Sequence, residues 1–136
     1  MHHWSIILAG GEGTRMRSMV RNRLGSDRPK QFCTFCGSRS MFEHTLTRCT
    51  QLVEPSHIVT VIQKRHRRYL ETQDLPGSLI EQPVSRDTAV GVLLPAAYIL
   101  GRDPEALIHV FPSDHFIYPE PSFIEQMKRV AILAEG

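Results

Sequence analysis

Apolar and polar positions along the chain fall into segments that fit strands and helices in turn. Ile6 to Ala9 is a short apolar run with β-branched members that stops at Gly10-Gly11-Glu12-Gly13, the pattern of a buried strand feeding a tight loop. Met16 to Asp27 carries Arg17, Arg21 and Arg23, with Arg15 and Arg28 at its flanks and Gly25-Ser26-Asp27 as a turn, and reads as a long basic surface loop ending at Pro29. After the turn Gly37 to Ser40, Ser40 is placed as an N-cap with Glu43 as its capping-box partner, opening a helix from Met41 to about Leu52 with Phe42, Leu46 and Cys49 at core spacing. His57 to Gln63 reads as a second strand, Arg65 to Thr72 as a second helix, and Ser78 to Glu81 as a third strand punctuated by Gln82-Pro83. An apolar helix is predicted from about Thr88 to Leu100, with Val90, Leu93, Leu94, Ala97 and Leu100 buried and Pro95 kinking or dividing it. Ala106 to Phe111 is a fourth strand. The last helix, Pro121 to about Ala134, turns Phe123, Met127, Val130 and Leu133 towards the sheet. This alternation predicts a three-layer α/β/α sandwich around a mostly parallel, Rossmann-like sheet with right-handed crossovers.

Composition adds limits. With 136 residues, 41% hydrophobic and 22% charged, residues 1–136 are expected to form one domain with its own core. A net charge of +2 is too mild to indicate nucleic acid, and the basic cluster Lys64 to Arg68 lacks aromatic interleaving beyond Tyr69, so it reads as a solvated helix face. No apolar run approaches the ~18 residues of a membrane span. Trp4 to Ala9 is too short for a signal peptide, and a cytoplasmic location is the expectation. Cys33, Cys36 and Cys49 make an odd count with no second C-x-x-C, so Cys33 and Cys36 read as small, partly buried residues, against a redox pair or half a metal site with His44. His2 and His3 read as a frayed terminus.

The chemistry concentrates at two strand ends. Glycines let a backbone approach a ligand and turn successive N–H groups inward on an anion, and Arg15 adds a cation with fork geometry just behind them. The spacing matches neither G-x-x-x-x-G-K-[ST], since no Lys follows, nor the dinucleotide fingerprint, since Met16 stands where a third glycine is needed. At the end of the fourth strand comes Pro112-Ser113-Asp114-His115. A carboxylate there, in a chain with a phosphate loop, is placed to hold Mg²⁺ against phosphate oxygens. His115 reads as a hydrogen-bonding neighbour.

L-A-G-G-E-G-T-R, with R-P-K-Q-F from Arg28 to Phe32 and P-S-D-H from Pro112 to His115, resembles the signature of the sugar-1-phosphate nucleotidyltransferases, closest to the mannose-1-phosphate guanylyltransferase branch. The resemblance implies strand order 3-2-1-4, with the glycine loop and Asp114 at the point where strand order reverses. It implies that Leu8, Ala9, Gly10, Gly11, Gly13 and Thr14 line the nucleotide, that Arg15 and Lys30 hold its phosphates, and that Asp114 holds Mg²⁺. It places the stretch after the third strand against the guanine; the branch reads E-P-x-x-R-N-T-A, and here Gln82 stands for the Glu and Asp87 for the Asn, while Arg86 and Thr88 are kept. The implied partners are GTP and a sugar-1-phosphate, with no nucleic acid and no membrane.

Cytidylyltransferases of isoprenoid synthesis share the glycine loop and P-K-Q but lack P-S-D-H. The resembled enzymes are longer than this chain, and their second half supplies the lysine of an F-V-E-K-P motif for the sugar phosphate. A nucleotide-binding module without turnover therefore stands beside the enzyme reading, and an unpaired fourth strand with Ile108 and Val110 invites a homodimer.

Overall fold

Runs rich in β-branched residues become a sheet whose two faces are sorted by the strand period of two. The computed structural model describes residues 2–84 and 87–136. Strands β1 (His3–Leu8), β2 (Ile58–Gln63), β3 (Ser78–Gln82) and β4 (Leu107–Pro112) pair in parallel in the order β3-β2-β1-β4, as the resemblance implies. The register sets Ile6 beside Val59 on one side and Val110 on the other, and Leu8 beside Val61 and Pro112, so β1 ends level with β4 while β2 and β3 run on together to Gln63 and Gln82. Ile7, Ile58, Ile62 and Phe111 face one way, into a core completed by Phe32, Phe42, Cys49 and Leu70. Trp4, Ile6, Val59 and Val61 face the other way, onto Ile99.

Four helices supply the outer layers: α1 (Arg17–Leu24), α2 (Met41–Thr50), α3 (Asp87–Leu100) and α4 (Glu120–Glu135). Through Phe42 and Cys49 of α2, and Phe123 and Met127 of α4, two of them cover the first face. Helix α3 covers the second through Ala96, Tyr98 and Ile99. Helix α2 starts as the sequence predicts: the Glu43 amide donates to Ser40 Oγ at 3.2 Å, and the Ser40 amide donates to Glu43 Oε2 at 2.6 Å. Inside that helix Arg48 is only 2% exposed; its guanidinium donates to Glu120 Oε2 at 3.2 Å, Thr45 Oγ1 at 2.8 Å and the His115 carbonyl at 3.4 Å. One buried charge thus ties α2 to the start of α4 and to the loop that follows β4. Removing its carboxylate partner would leave that charge uncompensated, the costly way to break such a pair.

Several expectations are corrected. The stretch Met16 to Asp27 is not a loop: a 3-10 turn, Thr14–Met16, leads into α1, which anchors on buried Val20 and stops where Gly25, at φ 66°, returns its N–H to the Arg21 carbonyl. Its arginines are good helix formers, and a single apolar contact suffices for eight residues. Lys64–Tyr69 is a 3-10 helix in place of the α-helix expected from Arg65, and its tighter turn brings His66 inward while Arg65, Arg67 and Arg68 stay exposed. Helix α3 runs undivided through Pro95, but Val90, Leu93, Leu94, Ala97 and Leu100 all point outward; Gly91, Pro95 and Ile99 are the buried residues. In α4 Ile124 and Ala131 are buried, whereas Val130 and Leu133 are exposed. His2 and His3 are not frayed: His3 opens β1 and bonds Glu135 at 2.6 Å, and His2 bonds Asp103 at 3.1 Å. Strand β4 lies at the sheet edge with Val110 partly exposed, as expected.

The reciprocal cap on α2 generates a stability prediction. Ser40→Ala should lower the unfolding free energy by about 1 kcal/mol, the usual cost of losing a helix cap, in urea denaturation at unchanged slope.

Candidate functional site

Every strand of this sheet ends on the same side, and two glutamine side chains there fix the glycine loop. Gln31, 4% exposed in the 3-10 turn Lys30–Phe32, donates its amide to the Ala9 carbonyl at 2.9 Å and the Gly11 carbonyl at 2.8 Å. Gln63, the last residue of β2, donates to the Gly10 carbonyl and accepts from Arg65 Nε at 2.8 Å, and Arg65 in turn pairs with Glu12. Three consecutive loop carbonyls are thus held by side-chain amides. Among the described residues the amides of Gly10, Gly11 and Gly13 donate to no backbone carbonyl, and successive free amides of this kind are able to donate to an anion. Gly13 sits at φ 62°, and a β-carbon there would press on the Lys30 amide nitrogen at 3.3 Å, so glycine is required both by the backbone and by the space. Ser113, buried after β4, donates its hydroxyl to the Leu8 carbonyl at 2.7 Å, fixing the next residue, Asp114, against the end of β1.

Beside the loop lies a pocket of about 230 Å³ bounded by Leu8, Gly10, Gly11, Gln82, Thr88 and Gly91. Gln82 is 7% exposed, and its side-chain Nε2 has no hydrogen-bond partner among the described residues. A buried donor left without an acceptor is costly, and a ligand in this pocket is what could supply one. Asp87, also on the pocket wall, holds φ at 62° at the start of α3. Asn and Asp are the non-glycine residues that visit this region most readily, so the exchange of Asn for Asp keeps the backbone turn. Arg86 lies outside the described residues. Ala9 is buried under the loop and Thr14 is exposed at its far end.

The third cluster is ionic. Lys30 Nζ lies 3.7 Å from Asp114 Oδ2, and His115 Nδ1 lies 3.2 Å from Asp114 Oδ1, the side chain of Asp114 being 44% exposed. Residues from two distant motifs therefore meet across the ends of β1 and β4. Arg15 is exposed on the turn that follows the loop, and among the described residues it has no carboxylate partner. Cys33 is buried and Cys36 exposed, both free, and burial pushes the Cys33 thiol up, opposite to what a redox thiolate needs. No group of three metal-binding side chains occurs, and no helix is long and apolar enough to cross a membrane, among the described residues. Gln31 and Gln63 carry no role in the sequence reading. Their signal was present, a polar side chain at the inner end of a buried strand and another beside Lys30, but spacing alone does not show which carbonyls they reach.

Mannose-1-phosphate guanylyltransferase from Salmonella montevideo is 33% identical over 136 residues, covering 96% of this chain and 27% of that protein. The Escherichia coli protein of the same name is 30% identical over 128 residues, covering 90% of this chain and 26% of its own length. A crystal structure described as mannose-1-phosphate geranyltransferase from Thermus thermophilus superposes with a TM-score of 0.80 at 26% identity, covering 95% of this chain and 37% of that one. The chain thus spans about a quarter of the length of these curated relatives. The profile of the nucleotidyl transferase family matches residues 4–134, nearly the entire chain with its glycine loop, Lys30 and Asp114, and the chain belongs to that family.

Proposed function

We propose that this chain binds GTP and takes part in nucleotidyl transfer to a sugar-1-phosphate, mannose-1-phosphate by preference, with Mg²⁺, in the cytoplasm. The observation that carries the reading is the set of free loop amides beside the unpartnered Gln82 amide: one suits phosphate, the other a base with a hydrogen-bond acceptor. In this reading the base lies in the Leu8–Gln82–Thr88 pocket, and the triphosphate runs over Gly10, Gly11 and Gly13 towards Arg15 and Lys30. A phosphate oxygen of the sugar-1-phosphate forms a bond to the α-phosphorus while the bond from that phosphorus to the pyrophosphate oxygen breaks. The attacking oxygen is already ionised, so the protein needs to position and to neutralise charge, without a general base.

Asp114 fits Mg²⁺ by donor type and by place. This ion usually takes one or two carboxylates and completes its shell with water and substrate phosphates, so a single half-exposed carboxylate beside Lys30 is adequate. When bound, Mg²⁺ would supply charge neutralisation on the phosphate oxygens. Lys30 then exchanges its contact with Asp114 for one with phosphate, and Ser113 and Arg48 hold the Asp114 loop in place meanwhile. Binding without turnover is the second reading: every group assigned above holds the nucleotide or Mg²⁺, and none the sugar.

Calorimetry with Mg·GTP, Mg·ATP and Mg·CTP, beside pyrophosphate release in the presence of mannose-1-phosphate, tests both readings. Saturable binding with GTP preferred is expected, and release of pyrophosphate separates enzyme from module. Arg15→Ala should weaken Mg·GTP by ~1.5–3 kcal/mol, the worth of a charge-assisted contact; equal affinities would remove Arg15 from the site. For Asp114→Asn the expectation is a lower affinity in Mg²⁺ at unchanged melting temperature. A sharp fall in melting temperature with the metal dependence intact would make Asp114 structural.

A further inference from the structure

The far end of the glycine loop borders a second pocket, about 110 Å³, that shares no wall residue with the Gln82 pocket and includes neither Arg15, Lys30 nor Asp114. Arg17 reaches it from α1, Arg28 from the turn before Pro29, and Arg65, His66 and Arg68 from the 3-10 helix. Four guanidiniums from three parts of the chain converge there. Two have carboxylate partners: Arg65 pairs with Glu12, and Arg17 lies 3.4 Å from Asp27. Arg28 and Arg68 have none among the described residues; both stand over the Tyr69 ring, 5.4 Å and 4.9 Å from its centroid. Glu12 and Asp27 stand in the same wall and offset two of the charges, which leaves Arg28 and Arg68 to attract an anion.

An independent observation points to a ligand. His66 forms part of the wall, is 4% exposed, and its Nδ1 has no hydrogen-bond partner among the described residues. Burial, reinforced by Arg65, holds its pKa below the ordinary histidine value, so the ring is neutral at pH 7.5. A neutral imidazole carries its proton on one nitrogen only, and with the proton on Nε2 the unpartnered Nδ1 is an acceptor. A ligand matching this wall presents oxyanion oxygens to arginines and one O–H to an imidazole nitrogen. It must also be small, since drug-sized ligands occupy about 300–1,000 Å³.

We propose that this pocket binds inorganic phosphate as hydrogen phosphate, its oxygens held by Arg28, Arg65 and Arg68 and its P–OH donated to His66 Nδ1. Phosphate that recruits Arg65 competes with Glu12 for the same guanidinium, so occupancy bears on the glycine loop. The pocket shares Gly13 with the nucleotide reading, but its test needs no nucleotide.

Calorimetry of the protein without nucleotide, at pH 7.5, would titrate inorganic phosphate, sulfate and methyl phosphate in turn. Sulfate carries no proton at this pH, and a phosphomonoester, with its second pKa near 6, carries almost none. One phosphate per chain is expected, at least tenfold tighter than either competitor. Arg68→Gln should weaken phosphate at least tenfold, and Lys30→Ala should leave it unchanged within twofold. Absence of saturable phosphate binding would overturn the proposal, as would equal affinity for sulfate or methyl phosphate. So would loss of binding in Lys30→Ala with Arg68→Gln unaffected, which would assign the phosphate to the other end of the loop.

Discussion

The constraint on which the rest depends is that the backbone between Ala9 and Gly13 cannot satisfy itself. It leaves a buried strand level with the end of β4 and short of the end of β2, with three carbonyls that need donors and no helix or sheet to provide them. Gln31 and Gln63 provide them, from a turn and from the adjacent strand. Because each amide is rigid and buried or nearly so, tying the carbonyls also orients the peptide planes, and the N–H groups are left for a ligand. A site of this kind is assembled before its ligand arrives, which limits the ordering that binding must pay for. Asp114 is held to the same reference by the Ser113 contact with Leu8, so both halves of the site are measured from the end of β1.

Sequence showed most clearly what depends on short-range pattern. The first strand and its glycines, the Ser40–Glu43 cap and the four parallel strands follow from periodicity and turn chemistry, and the structure has them within a residue or two, except that the first strand begins three residues earlier, at His3. Helix α3 shows the limit. It is apolar nearly all round, so periodicity gives no face, and the choice falls to Gly91 and Pro95, whose small profiles let the helix approach the sheet while Leu93 and Leu94 turn outward. Helix α1 was hidden for the opposite reason, since arginines surround its single buried valine.

Polar residues inside the fold were the least legible. Arg48 occupies a helix position that pattern would give to solvent, yet it is buried because Glu120 and the His115 carbonyl, both distant in sequence, meet it beside Thr45 of its own helix. His66 sits within a run of basic residues and is buried because the 3-10 turn, unlike an α-helix, sets it against Phe32 and Tyr69. For the candidate site, Gly13, Lys30 and Asp114 could be named from motifs, but their convergence could not: the 3.7 Å between Lys30 and Asp114 is a property of the strand order. The glutamines that shape the loop needed the fold as well, because their partners are carbonyls and carbonyls leave no mark in a sequence.

If the free amides of the glycine loop are the anion site, backbone amide resonances of ¹⁵N-labelled protein should report it most directly while Mg·GTP is added. Saturable shifts are predicted, the largest at Gly10, Gly11 and Gly13, with Gly25, Gly37 and Gly101 unmoved. Shifts that spare the three loop glycines while others respond would contradict this assignment.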